Sequence, residues 1–151
     1  ARLDGVVDIY MPDAKFWDAK PAARFCAAPD YPERARAAIA EMHRQVGDLA
    51  LDERGVAFRG LLVRHLVMPK GLAGTAPWMR FLAGLSPATY VNVMDQYRPC
   101  GEAGNFPEIG RGVSATEYAL ALDAARAAGL TRLDDRRSRL ARHLLDRLGR
   151  G

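Results

Sequence analysis

The sequence predicts an α/β domain: three parallel strands with helices packed outside them, plus a small hairpin. Three observations carry this expectation. Apolar, β-branched runs occur at Val6–Asp13, Leu61–Pro69 and Thr89–Tyr97. Segments with apolar residues at helical spacing separate them. The resulting order is strand, helix, hairpin and strand, helix, strand, helix, the alternation of a parallel sheet with right-handed crossovers.

The first run, "VVDIYMPD", carries Pro12 next to its last residue, which suits a strand end because proline donates nothing to a ladder. A loop rich in alanine and proline is expected next. "DYPE" then opens a helix, with Asp30 as N-cap, Pro32 in the first turn and Glu33 completing a capping box. Ala35, Ala38, Ile39, Met42 and Val46 follow at helical spacing, and Gly47 ends the helix. "DLALDERGVAFRG" alternates around a short turn in which Gly55 suits a positive φ, a hairpin signal. Its second arm runs into the strand "LLVRHLVMP". Thr75 and Pro77 begin a helix to about Leu85, with Trp78, Phe81, Leu82 and Leu85 as its apolar stripe. After the strand "TYVNVMDQY" comes a polar loop, Arg98 to Val113, with four glycines and two prolines. A loop this long in a compact domain is usually functional or mobile. Ser114 and Glu117 form a second capping box for a helix that ends at Gly129.

Composition narrows the class. A chain of 151 residues is long enough for one domain with a real core, and a hydrophobic fraction of 49% excludes a disordered chain. No apolar run is long enough to cross a bilayer. Residues 1–15 lack the basic start and apolar stretch of a signal peptide, so the expected location is cytoplasmic. The chain begins at Ala1 and runs almost at once into a strand, which fits a fragment or a processed protein. Cys26 and Cys100 are far apart and unaccompanied; they make no metal framework and are expected to be buried free thiols. The net charge of +4 lies in the tail: Arg132 to Gly151 holds seven arginines and three aspartates. There Leu140, Leu144, Leu145 and Leu148 alternate with the arginines at helical spacing. The tail, residues 134–151, therefore reads as an amphipathic helix with a solvated arginine face rather than a nucleic-acid footprint, which needs a clustered basic surface.

Polar residues at the strand ends mark the candidate site. Function in parallel α/β sheets collects at the carboxyl ends of strands. Val7, Ile9, Met11, Asp13 and Lys15 share one face of the first strand, with the acid and the base at the top. That is the look of an active-site strand, or of a local ion pair that finishes it. Arg64 lies inside an apolar strand and needs an anionic or carbonyl partner, either Asp13 on a neighbouring strand or the polar groups of a ligand. His65 faces the other side and reads as a packing histidine. Asn92, Met94 and Gln96 share one face of the third strand, Asp95 and Tyr97 the other, and alternation does not say which points inward. Glu41, His43 and Asp123 sit on helices and are expected to be solvated. Three strands cannot close a barrel and leave two edges and one face in want of cover, so the chain looks like half of something.

"DGVVDIYMPDAKFWD", "YPERARAAIAEMHRQVGDL", "RGLLVRHLVMPKGLAGT", "YVNVMDQYRPC" and "PEIGRGVSATEYALALDAARAAGL" together resemble the radical S-adenosylmethionine (SAM) proteins that are homologues of pyruvate formate-lyase activating enzyme. The blocks run in order from about Leu3 to Leu133. The resemblance implies that residues 1–133 are the C-terminal half of a partial (β/α)6 barrel. It implies a [4Fe–4S] cluster held by a CxxxCxxC loop, SAM bound at the fourth iron position, and reductive cleavage to a 5′-deoxyadenosyl radical. It also implies a glycyl-radical enzyme or other protein substrate as partner, and a flavodoxin or ferredoxin as electron donor, with no role for a membrane.

By the same resemblance Asp13, Lys15, Arg64 and Asn92 bind SAM. Met11, Asp13 and Lys15 match an M-x-D-x-K at a strand end, where the Met and Asp help hold a monovalent cation. The match at Asn92 is looser. The departure from the family is plain: no CxxxCxxC occurs in these residues, so the chain alone is expected to bind no conventional cluster. Two readings share the motifs. One is a radical SAM oxidoreductase that works only with a cluster-binding half; the other is an inactive remnant acting as a binding or scaffold module.

Overall fold

A computed structural model describes residues 3–134 of the chain. The expected tail helix lies outside the described residues, apart from Asp134. The elements are β1 (Ile9–Tyr10), β2 (Asp13–Ala14), α1 (Ala19–Cys26), α2 (Tyr31–Val46), β3 (Ala50–Leu51), β4 (Ala57–Leu66), α3 (Thr75–Leu85), β5 (Tyr90–Met94), α4 (Ala115–Ala127) and β6 (Arg132–Leu133). They form a mixed α/β structure in which β1, β4, β5 and β6 line up in that order. β1 and β2 both pair parallel with β4, β4 with β5, and β5 with β6; only β3 is antiparallel to β4. Among the described residues no helix is long and apolar enough to cross a membrane.

Strand alternation explains how the layers form. Leu61, Val63, His65 and Val67 of the β4 run, with Val91 and Val93 of β5, are buried. Ile39 and Val46 of α2, Trp78, Met79 and Leu82 of α3, and Ala121 and Ala125 of α4 pack against this face. The intervening positions Leu62, Arg64, Leu66, Tyr90, Asn92 and Met94 are only partly buried. Helices therefore cover one face of the sheet, and the other stays partly open to solvent. A second apolar cluster of Phe16, Ala22, Met68, Ala73 and Ile109 sits beside the main core.

Several expectations need correction. The first strand is not one run but two short pieces, because Pro12 interrupts the ladder between Tyr10 and Asp13. The alanine- and proline-rich stretch is not a loop: it holds α1, whose Ala22 is buried and whose Phe25 packs against Phe16 and Phe106. A further parallel strand, β6, follows α4. Two residues carry too little pattern to be seen in sequence. The Asp30 capping box does not form: Asp30 has helical dihedrals, makes no side-chain cap and pairs with Arg34 instead. The Ser114–Glu117 capping box does form, with both reciprocal bonds present. Gly55 has φ +77°, as a tight hairpin turn requires. Gly60, with φ +113°, lies where Asp48 and Leu49 cross so closely that a Cβ would overlap their backbone.

His43 is not solvated. Its side chain is mostly buried and bonds Asp48 at 3.1 Å, and Ser86 donates to the same carboxylate at 2.7 Å. This joins the ends of α2 and α3 below the sheet. Glu41 and Asp123 do sit on the helix surface, paired with Arg44 and Arg126 one turn away.

Candidate functional site

The register of the sheet assembles the site. Asp13 pairs with Arg64, and Arg64 with Asn92, so these three side chains stand side by side across β2, β4 and β5. Parallel partners share a face, so all three project onto the open side, toward the carboxyl ends of the strands. Alternation left the inward face of the third strand undecided; the register decides it for Asn92 and Met94. The neighbouring row, Ala14, His65 and Val93, points to the helices and is buried.

Arg64 Nε donates to Asp13 Oδ1 at 2.7 Å, and Arg64 Nη2 lies 2.7 Å from the same oxygen. Lys15 Nζ lies 3.5 Å from Asp13 Oδ2. One carboxylate thus stands between two cations. The pair is no sealed core bridge: the side chains of Asp13, Arg64 and Lys15 are 32%, 39% and 46% exposed. An arginine carries five N–H donors, so its contacts with Asp13 leave the guanidinium able to bind another acceptor. Both partners expected for Arg64 are therefore compatible with its geometry. Met11 lies on the same face and is exposed.

Support comes from beneath. His65 is fully buried; its Nδ1 lies 2.9 Å from Ala14 O and its Nε2 2.9 Å from Thr75 Oγ1. A carbonyl can only accept, so Nδ1 carries the proton and Nε2 accepts from the Thr75 hydroxyl. The imidazole ties β2 to the start of α3 across β4, directly under the Asp13–Arg64 row. Burial pushes its pKa down to about 4, only partly offset by the Ala14 carbonyl. His65 is thus neutral, and it packs in the interior as the sequence suggested.

Sequence reasoning missed Tyr31. Its hydroxyl donates to Asp13 O at 2.9 Å and accepts from Lys15 N at 3.0 Å. Burial raises its pKa above the ordinary phenol value, and the Asp13 charge adds to this. The sequence signal at this position, a tyrosine beside an apparent N-cap, gave only helix initiation.

The loop from Arg98 to Val113 is tied down rather than structureless. It contains a short 3-10 turn, Gly101–Asn105. Tyr97 donates its hydroxyl to Ile109 O at 2.8 Å, and Arg24 of α1 pairs with Glu108 at 2.8 Å while lying over the rings of Phe25 and Phe106. Cys26 ends α1 and Cys100 directly precedes the 3-10 turn of this loop, and both are exposed, against the expectation of buried thiols. Each stands at the end of an element, outside the apolar cluster that takes the neighbouring aromatics. Among the described residues no group of three or more His, Cys, Asp or Glu side chains is placed to hold a metal ion.

A protein of Methanocaldococcus jannaschii, described only as uncharacterized, is 31% identical to this chain over 134 residues. The match covers 88% of the chain and 36% of that protein, so the chain spans about a third of the length of its relative. No protein-family model and no solved structure matches the chain.

Proposed function

We propose that this chain forms the SAM- and substrate-facing part of a radical SAM protein of the activating-enzyme type, as the C-terminal half of a partial (β/α)6 barrel. The supporting observation is the row Asp13, Arg64 and Asn92, with Lys15 beside it, at the carboxyl ends of parallel strands on the open face. These groups fit the polar inventory of SAM. Arg64 and Lys15 bind its carboxylate, Asp13 accepts from its ammonium or its ribose hydroxyls, and Asn92 both donates and accepts. Bound SAM supplies such proteins with the hydrogen-abstracting radical; the role of these side chains is to bind and orient it. A monovalent cation at Met11 and Asp13 would compete with Lys15 and Arg64 for the same carboxylate.

The cluster does not fit this chain. A site-differentiated [4Fe–4S] cluster needs three cysteine ligands. The chain has two, one ending α1 and one within the Arg98–Val113 loop. No step through the cluster is therefore assigned to these residues. The glycyl-radical partner and the flavodoxin or ferredoxin donor belong to the same proposal.

The test is a backbone-amide NMR titration of the chain with SAM. Saturable shifts clustered on Asp13, Lys15, Arg64 and Asn92 are expected. Losing a charge-assisted hydrogen bond costs about 1.5–3 kcal/mol, so Asp13→Ala and Arg64→Ala should each weaken binding by about 10–100-fold. Absent shifts, or affinities indifferent to both substitutions, would return the trio to a structural ion pair on a binding or scaffold module.

A further inference from the structure

We infer that Tyr31 is a positioning residue for this site: its hydroxyl takes the place of a neighbouring strand at the edge of β2 and so fixes where Asp13 and Lys15 point. The inference rests on the reading of Asp13, Lys15 and Arg64 as ligand contacts. Among the described residues β2 pairs only with β4. Successive peptide groups of a strand point to opposite edges. Pro12 O accepts from Arg64 N at 2.9 Å and so faces β4; the next carbonyl, that of Asp13, faces away. Asp13 O and Lys15 N are the carbonyl and the amide two residues on that an added strand would take up. The hydroxyl of Tyr31 satisfies both, donating to one at 2.9 Å and accepting from the other at 3.0 Å.

Three consequences follow from that single oxygen. The Asp13–Lys15 step is held in strand conformation where no ladder is formed at its free edge. It is gripped from two sides, since His65 holds Ala14 O from the covered face. And any further strand must stop short of this step or displace Tyr31. The backbone that carries the side chains of Asp13 and Lys15 is thereby fixed without a strand beside it. Burial keeps the phenol protonated, so the donor to Asp13 O persists across the neutral range.

Tyr31→Phe in the full chain tests this by two readouts. A typical hydrogen bond contributes about 1 kcal/mol net, so the Lys15 amide should exchange with solvent about fivefold faster, and the SAM dissociation constant should rise by a similar factor. Met42→Ala, farther along the same helix and packed against the core, controls for general destabilisation; it should leave SAM affinity unchanged. Unchanged Lys15 exchange in Tyr31→Phe overturns the clamp. Faster exchange with unchanged affinity overturns the positioning role, while the proposed function stands if Asp13→Ala still weakens binding. If Asp13→Ala and Arg64→Ala also leave affinity unchanged, the proposed function fails and the inference with it.

Discussion

Acidification should destabilise this protein chiefly through His65. The imidazole is fully buried and its contacts are a carbonyl and a hydroxyl, neither of which neutralises a positive charge. In the folded state its pKa is pushed down to about 4, whereas a solvated histidine titrates near about 6.5. The folded value is the lower one. The unfolded chain therefore takes up a proton below about pH 6.5 that the native state refuses until about pH 4. The His65 contribution to stability is constant above this window and falls through it at about 1.4 kcal/mol per pH unit. From about pH 7.5 to about pH 5 the loss is roughly 2 kcal/mol, a large share of the 5–15 kcal/mol typical of a domain. Urea denaturation of wild type and His65→Gln at both pH values isolates the term, because the other titrating groups are common to both proteins. The variant should be less stable at neutral pH but lose about 2 kcal/mol less on acidification. Equal losses would refute the argument. So would a His65 ring titrating near the solvated value in an NMR pH series of the wild type, a measurement that needs no variant.

Other expectations follow from single contacts. Gly60→Ala should cost at least about 2 kcal/mol in denaturant unfolding, since its φ of +113° and the crossing backbone of Asp48 and Leu49 leave no room for a Cβ. Arg64→Ala should change stability by only about 1 kcal/mol or less, because the ion pair is a third exposed, even while it weakens ligand binding; a large unfolding shift would mark the pair as structural. Cys26 and Cys100 should both react with a thiol reagent in the native state, and protection of either until denaturant is added would contradict their exposure. Anaerobic reconstitution of the 151-residue chain with iron and sulfide should leave it colourless, and a cluster absorption band would overturn the ligand count.

The candidate site was more legible in sequence than its support. Arg64 announced itself because a charge inside an apolar strand is costly and must be paired or functional, and Asp13 and Lys15 because they share one face at a strand end. That Arg64 does meet Asp13, and that Asn92 faces the same side, needed the register: alternation gives a residue's face relative to its own strand, never relative to its neighbours. Tyr31 was invisible because a hydroxyl that bridges two backbone groups 16 and 18 residues away leaves no periodicity. α1 was missed for a similar reason. Pro21 and a run of alanines look like loop composition, and the helix is fixed by Ala22 and Phe25 packing into a cluster built from distant segments.

The chain's local chemistry by itself set the alternation of strands and helices, the Ser114–Glu117 cap, the turn at Gly55 and the packing role of His65. Those depend on neighbours within a few positions, or on the cost of burying a polar group. Only the folded sheet decided which face is open, that Arg64 meets Asp13 while remaining reachable by solvent, and that two cysteines stand outside the core. Such facts arise from contacts between segments far apart in the chain, and nothing in the order of residues encodes a distance until the backbone has closed it.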